Sequence, residues 1–245
     1  MIGSKKDIVS QLQQEILRMQ GFKTAHTAKI QSFGLGDIEA AFPNGIFPTG
    51  AIHEFLATQP EDAAACGGFI GGLLSNLMQK SGAVLWVSTQ RTVFPPALKA
   101  FGITPDQVIF IDVQKESDAL WATEEALKCE GLAAVIAELN EISFTQSRRL
   151  QLVVEKSQVT GFLLRKNDQK LGSTASAARW KISNLPSQNT DGLPGLGFPR
   201  WQVDLLRVRN GQPGSWVVEW CSEQFKQIPA PEHVSESTSG LSQTG

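Results

Sequence analysis

Between residues 51 and 164 the chain alternates short apolar, β-branched runs with segments of helical spacing, and the alternation is unbroken. Runs of strand length fall at 51–56, 83–87, 107–113, 132–137 and 159–164. The segments between them, 66–78, 95–101, 117–129 and 143–157, repeat apolar residues every three to four positions. The run at 132–137 is apolar throughout, as in a strand covered on both faces. Because a strand, crossover helix and strand close with one hand into parallel neighbours, the pattern predicts a mostly parallel sheet with helices on both faces.

Local signals sharpen the element ends. The segment 95–101 opens on Pro95, a favoured first helical residue. Segment 117–129 lines up Ala119, Ala122, Ala126 and Cys129 beside Leu120 and Leu127, with Glu124 and Lys128 paired outside and Ser117 as its expected N-cap. Ser143 and Gln146 form an S-x-x-Q capping box ahead of Leu150, Val153 and Val154. The helix at 66–78 carries Gly67, Gly68, Gly71 and Gly72, which cost up to ~1 kcal/mol each and so predict close approach by a neighbour.

After 164 the pattern changes. Three strands, 178–182, 201–208 and 216–220, follow with no helix between them and are expected to pair antiparallel. The loop 184–199, with three prolines and three glycines, is either mobile or an interaction surface. Residues 7–20 place Ile8, Leu12, Glu15 or Ile16, and Met19 on one helical stripe. From 226 the composition is too polar to order itself. The expected organisation is a helix and linker at 1–24, one α/β domain at 25–225 and a disordered tail at 226–245.

With 245 residues and 41% hydrophobic content, the chain supports one sizeable core. It has no apolar run of about 18 residues and no signal-peptide pattern at its start, so a cytoplasmic location without membrane contact is expected. Cys66, Cys129 and Cys221 lack metal or redox spacing and are expected to be buried small hydrophobes. The net charge of −2 hides an asymmetry: residues 140–210 carry 11 Lys+Arg against 5 Asp+Glu, which suits nucleic acid, an acidic protein or a solvated mixed face.

In an open α/β sheet, ligands bind in the loops beyond the strand carboxyl ends. A phosphate-binding loop after the first strand needs glycines, a lysine and a hydroxyl. The chain instead reads ATQPEDAAAC at 57–66, with Glu61 and Asp62 at the start of a helix. Carboxylates there suit the helix dipole. They also repel a polyphosphate, each like-charge pair costing about 4 kcal/mol at ~4 Å and an effective dielectric of ~20. The second strand ends in Ser88, Thr89 and Gln90, and an amide cannot act as a general base. Glu138, after the strand at 132–137, stands where a metal-ordering acid would be, or else caps a turn or pairs with an arginine. His53, inside a core strand beside Glu54, reads as a satisfied core histidine. No catalytic or metal-ligating constellation emerges.

The segments FGLGDIEAAFPNGIFPTGAIHEFLA, AVLWVSTQRTVFPPALKAFGI, ALWATEEALKCEGLAAVIAELNEISFTQSRRLQL and GFPRWQVDLLRVRNGQPGSWVVEW together resemble the ImuA family, RecA-like accessory proteins of bacterial mutagenesis cassettes. Set beside RecA itself, residues 50–56 are similar to the strand before the P-loop, Gln90 matches the catalytic glutamate and Glu138 the Walker B aspartate, while the Walker lysine has no counterpart. Residues 166–174 look like a shortened second DNA-binding loop. The resemblance implies a RecA-like α/β core extended by antiparallel strands, a degenerate P-loop and no cofactor, metal or catalysis. It further implies a partner role in SOS-induced translesion synthesis, with an ImuB-type Y-family-like protein, an error-prone DnaE-type polymerase and RecA as contacts.

Two other readings stay open. One is a SulA-like cell-division inhibitor that binds FtsZ. The other is a weak single-stranded DNA-binding module using Arg148, Arg149, Arg165, Lys166, Lys170, Arg179 and Lys181. Trp180, Trp201, Trp216 and Trp220 either stack on bases or, at their strand spacing, pack the sheet.

Overall fold

A computed structural model of the chain describes residues 12, 15, 32–80, 82–166, 172–187 and 197–229. The expected N-terminal helix, apart from Leu12 and Glu15, and Lys170, the middle of the 184–199 loop and the tail beyond 229 lie outside the described residues. A short turn of helix α1 (Asp37–Ala40) leads to β1 (Ile52–Leu56), α2 (Pro60–Leu77), β2 (Ala83–Ser88), β3 (Val108–Asp112), α3 (Glu116–Leu127), β4 (Leu132–Leu139), α4 (Phe144–Ser157) and β5 (Thr160–Arg165). Then come β6 (Ala178–Leu185), β7 (Arg200–Val208), β8 (Gly214–Cys221) and β9 (Gln224–Ile228).

The nine strands form one sheet in the order β3-β2-β4-β5-β1-β6-β7-β8-β9. All pairings from β3 to β6 are parallel, and those from β6 to β9 are antiparallel. The predicted strand at 178–182 therefore joins the parallel half through β1, and the change of direction begins one strand later than expected.

Period-two alternation on β1 sorts its residues between two cores. Phe55 joins a large aromatic core with α2, built on Phe69, Ile70, Leu73, Trp180 and Trp201. Ile52 joins a smaller aliphatic core with α3 and α4, built on Ala119, Ala122, Leu127, Leu150 and Val154. With both faces covered, every residue of β1 is buried. Trp180, Trp201 and Trp220 are buried and Trp216 is half-buried, so these rings pack the protein rather than present faces to bases.

Element ends correct the sequence reading in several places. Helix α2 begins at Pro60, a turn and a half before the predicted start, because Pro60 supplies the first helical position. The Pro95–Phe101 segment is a 3-10 helix. Ser117 lies inside α3, whose N-cap position is Lys115, and its hydroxyl turns to Asp118. The Ser143–Gln146 capping box forms as expected. Cys66 is buried, but Cys129 is exposed at the end of α3 and Cys221 only half-buried at the end of β8. Strand β9 crosses the predicted boundary at 225, placing Lys226, Gln227 and Ile228 in the sheet.

The glycines of α2 answer to aromatic neighbours. A Cβ added to Gly71 would lie 2.8 Å from the Phe101 ring, and one added to Gly72 would lie 2.4 Å from the Phe225 ring and 2.9 Å from Trp220. These contacts seat the C-terminal strands and the 3-10 segment against the helix. Gly72→Ala is therefore expected to lower stability by ~1–3 kcal/mol through overpacking. Gly67→Ala, whose added Cβ meets nothing within 4 Å, is expected to be neutral or to stabilise by up to ~1 kcal/mol. Urea denaturation of the two variants checks the contrast.

Candidate functional site at the strand carboxyl ends

The parallel strands end on a common rim, and backbone hydrogen bonds knit its loops together. Ala57 N–H donates to Arg165 O (2.8 Å), Val113 N–H to Ser88 O (2.9 Å) and Lys166 N–H to Leu139 O (3.0 Å). Three carboxylates on this rim are held by the protein itself.

At the start of α2, Asp62 accepts hydrogen bonds from the Gln59 backbone N–H (3.3 Å) and the Thr58 hydroxyl (3.2 Å). Thr58 and Gln59 lie in the 57–59 connection, where a phosphate loop would offer bare amides, and an internal carboxylate takes that place. Glu61, one residue earlier, is exposed. At the end of β4, Glu138 is buried and surrounded by donors: the Trp86 indole N–H (2.9 Å), the Thr92 backbone N–H (3.2 and 3.3 Å to its two oxygens) and the Lys166 ammonium (3.1 Å). Lys166 also donates to the carbonyl of Gln90 (3.1 Å), so the lysine ties the loops after β2, β4 and β5 into one joint. Gln90 meets this joint through its backbone, not its side chain. At the end of β3, Asp112 accepts from Ser88 (3.0 Å) and pairs with Arg91, whose guanidinium lies 4.3 Å above the Phe110 ring.

Of the four positions singled out for a degenerate nucleotide site, Glu61 and Asp62 do sit together on the first turn of α2. Glu138 and Gln90 meet through Lys166, a partner the sequence did not suggest. The Trp86–Glu138 bond spans 52 residues, and Asp112 was not singled out at all; neither has a local spacing signal.

Among the described residues, the basic candidates do not assemble into one exposed face. Arg165 and Arg179 are interior residues that serve Glu54 on β1. The Arg165 guanidinium donates to one Glu54 oxygen (2.5 Å), while Arg179 (2.9 Å), Thr174 (2.8 Å) and Ser176 (3.3 Å) donate to the other. Burial pushes the Glu54 carboxyl up, but the Arg165 hydrogen bond and then Arg179 and Thr174 outweigh it, holding the acid below its ordinary range. These two arginines are therefore withdrawn from any DNA surface because a buried carboxylate claims them. Lys166 is likewise engaged at Glu138. Arg148 and Arg149 are exposed on α4, but Arg148 faces Glu155 (3.9 Å) and Arg149 pairs with Glu124 (2.5 Å). Lys181 is exposed on β6.

His53 is the satisfied core residue expected of it. Its Nε2 lies 2.7 Å from the Pro48 carbonyl, which can only accept, so Nε2 carries the proton and Nδ1 accepts the Trp180 indole N–H at 3.3 Å. Burial lowers its pKa to about 4, against a smaller upward pull from the Pro48 bond. Among the described residues there is no cluster of metal-ligating side chains, and no helix is long and apolar enough to cross a membrane.

A mostly parallel sheet flanked by helices, closed by antiparallel strands and with acids seated at the usual phosphate position, defines a RecA-like α/β protein with a remodelled rim. Among solved structures the crystal structure of the RadB recombinase matches 81% of this chain and 99% of that chain with a TM-score of 0.55 at 13% identity, which is a likeness of fold. No protein-family model matches the sequence. Protein ImuA of Caulobacter vibrioides strain NA1000 / CB15N is 35% identical over 202 residues, covering 78% of this chain and 83% of that protein, and Protein ImuA of strain ATCC 19089 / CIP 103742 / CB 15 matches equally. The chain belongs to the ImuA family.

Glu54→Gln leaves two buried guanidiniums without their counter-charge and is expected to cost ~3–5 kcal/mol in urea denaturation. A second expectation concerns pH. His53 titrates near 6.5 when unfolded and about 4 when folded, so the unfolded chain binds the proton first as pH falls. Its contribution to stability is complete above pH ~6.5 and lost progressively down to about pH 4, amounting to ~3 kcal/mol at ~1.4 kcal/mol per unit. The depressed Glu54 adds loss of the same sign at lower pH. Denaturation curves at neutral pH and near pH 4.5 should differ accordingly, and His53→Phe should flatten the difference.

Proposed function

We propose that this chain is a non-catalytic, cytoplasmic adaptor of error-prone translesion DNA synthesis. It joins an ImuB-type Y-family-like protein and an error-prone DnaE-type polymerase, with RecA as a further contact. Membership of the ImuA family supports the setting. The observation that carries the non-catalytic reading is the occupation of the rim by the protein's own charges: Asp62 on the Gln59 amide, and Glu138 on Trp86, Thr92 and Lys166.

A nucleotide entering this rim must displace the Asp62 carboxylate from its donors and lie beside Glu61. It finds no Walker lysine in the 57–66 segment, and Lys166 on the same rim is already engaged by Glu138. Glu138 has its oxygens filled by four donor contacts and is not free to order a metal ion for hydrolysis. What the fold retains is a rigid α/β scaffold with a large surface, which suits partner binding.

The test has two arms. Ligand present at about a hundredfold over its Kd stabilises a protein by ~2.7 kcal/mol. Millimolar ATP or ADP with magnesium is expected to leave the melting temperature unchanged, whereas the ImuB-type protein and the polymerase are expected to co-elute with the full chain at micromolar concentration. ATP-dependent stabilisation with hydrolysis would overturn the non-catalytic reading, and absence of any stable complex with these proteins would overturn the adaptor.

A further inference from the structure

Next to the rim, on the face covered by α2, an apolar cleft of about 480 Å³ opens between the first turns of that helix, residues 92–94, the Pro95–Phe101 segment and Trp201. It is continuous with the rim, because Trp86, whose indole holds Glu138, and Glu61 both line it. Phe94 stands at its mouth with 68% of its surface exposed.

Three observations converge on an external occupant. The first is Gly67. A Cβ added to its neighbour Gly68 would lie 2.9 Å from Trp201, so internal packing accounts for that glycine, but one added to Gly67 meets nothing within 4 Å. The helix thus carries a glycine whose open side faces the cleft and, among the described residues, meets no neighbour in the fold. The second is Phe94, a large ring left in water where a monomer gains nothing from it. The third is charge. Arg91 and Lys166 are neutralised by Asp112 and Glu138, while no cation forms an ion pair with Glu61 or Asp62 among the described residues. Among the described residues that line the cleft, Glu61 is the one charged side chain, so the cleft is apolar with a single acid at its edge.

We propose that this cleft docks a short partner segment carrying an aromatic or branched aliphatic side chain next to a lysine or arginine. The apolar side chain enters against Gly67, Trp86 and Trp201 and covers Phe94, and the adjacent cation reaches Glu61. This proposal rests on the adaptor reading and names the surface through which one partner is held.

Short overlapping synthetic peptides tiled along the ImuB-type protein and the DnaE-type polymerase are titrated into the full chain. The change in intrinsic tryptophan fluorescence, to which the lining Trp86 and Trp201 contribute, reports occupancy, and co-elution of the intact partners is followed in parallel. The expected result is a peptide with an apolar anchor beside a basic residue, bound by the wild type. Its affinity should fall about tenfold or more in Gly67→Leu and Phe94→Ala, as for loss of a central anchor contact. It should fall several-fold in Glu61→Lys, with the salt dependence of the wild type removed. Gly67→Leu should melt at or above the wild-type temperature, since the helix gains propensity and the new Cβ has room. If that variant fails to fold, Phe94→Ala and Glu61→Lys decide. Partners that bind all variants equally well overturn the cleft and leave the adaptor standing, and partners that bind no form of the chain overturn both. Sedimentation showing a dimer of this chain that Gly67→Leu dissolves would assign the cleft to a second copy and also overturn the proposal.

Discussion

The Glu54 carboxylate holds the middle of the sheet. Strand β1 lies between β5 and β6, and Glu54 receives Arg165 from the first and Arg179 from the second. It thereby joins the last three strands of the parallel half, on whose outer strand, β6, the antiparallel extension is built. A lone buried carboxylate costs several kcal/mol, so the two arginines are required rather than optional. Thr174 and Ser176 complete its hydrogen bonds, and Arg207 reaches from β7 to the carbonyls of Thr174 and Ser176. The segment entering β6 is fixed by this cluster, and the antiparallel strands that follow inherit their position from it.

The same economy of charge governs the rim. At the carboxyl ends of the parallel strands Asp62, Asp112 and Glu138 are each engaged by the protein's own donors. Lys166 is the pivot. By binding Glu138 and the Gln90 carbonyl at once, it converts three loops that could move separately into a single unit. Residues 92–94 are part of that unit through the Thr92 amide, and this places Phe94 at the lip of the apolar cleft. The remodelled rim and the cleft are therefore two sides of one local structure.

Much of this was legible in sequence where the signal is periodic and local. The alternation from 51 to 164 gave the parallel half, the Ser143–Gln146 pair gave a helix start, and clustered glycines gave a close approach, because each depends on residues within one turn or one strand. What escaped notice depends on partners far apart in the chain. Arg165 and Arg179 looked like surface cations because nothing nearby in sequence shows that Glu54, more than a hundred residues away, claims them. Strand β9 was missed for a different reason. The turn before it places Ser222 and Glu223 at positive φ without the glycine or asparagine that usually marks such a hairpin, and only Phe225 of its five residues is buried.

The charge asymmetry along the chain takes on a different meaning once these contacts are known. The excess of basic residues in 140–210 suggested an electropositive surface, but part of it is interior and part neutralised by acids that precede residue 140: Arg165 and Arg179 by Glu54, Lys166 by Glu138 and Arg149 by Glu124. Part of the segment balance is thus a record of pairing with acids earlier in the same domain. A surface potential follows from what is left over after such pairing, and at the strand carboxyl ends the exposed remainder includes Glu61 beside an uncovered phenylalanine. A count of basic residues along the chain therefore does not by itself fix the sign of the surface at this rim.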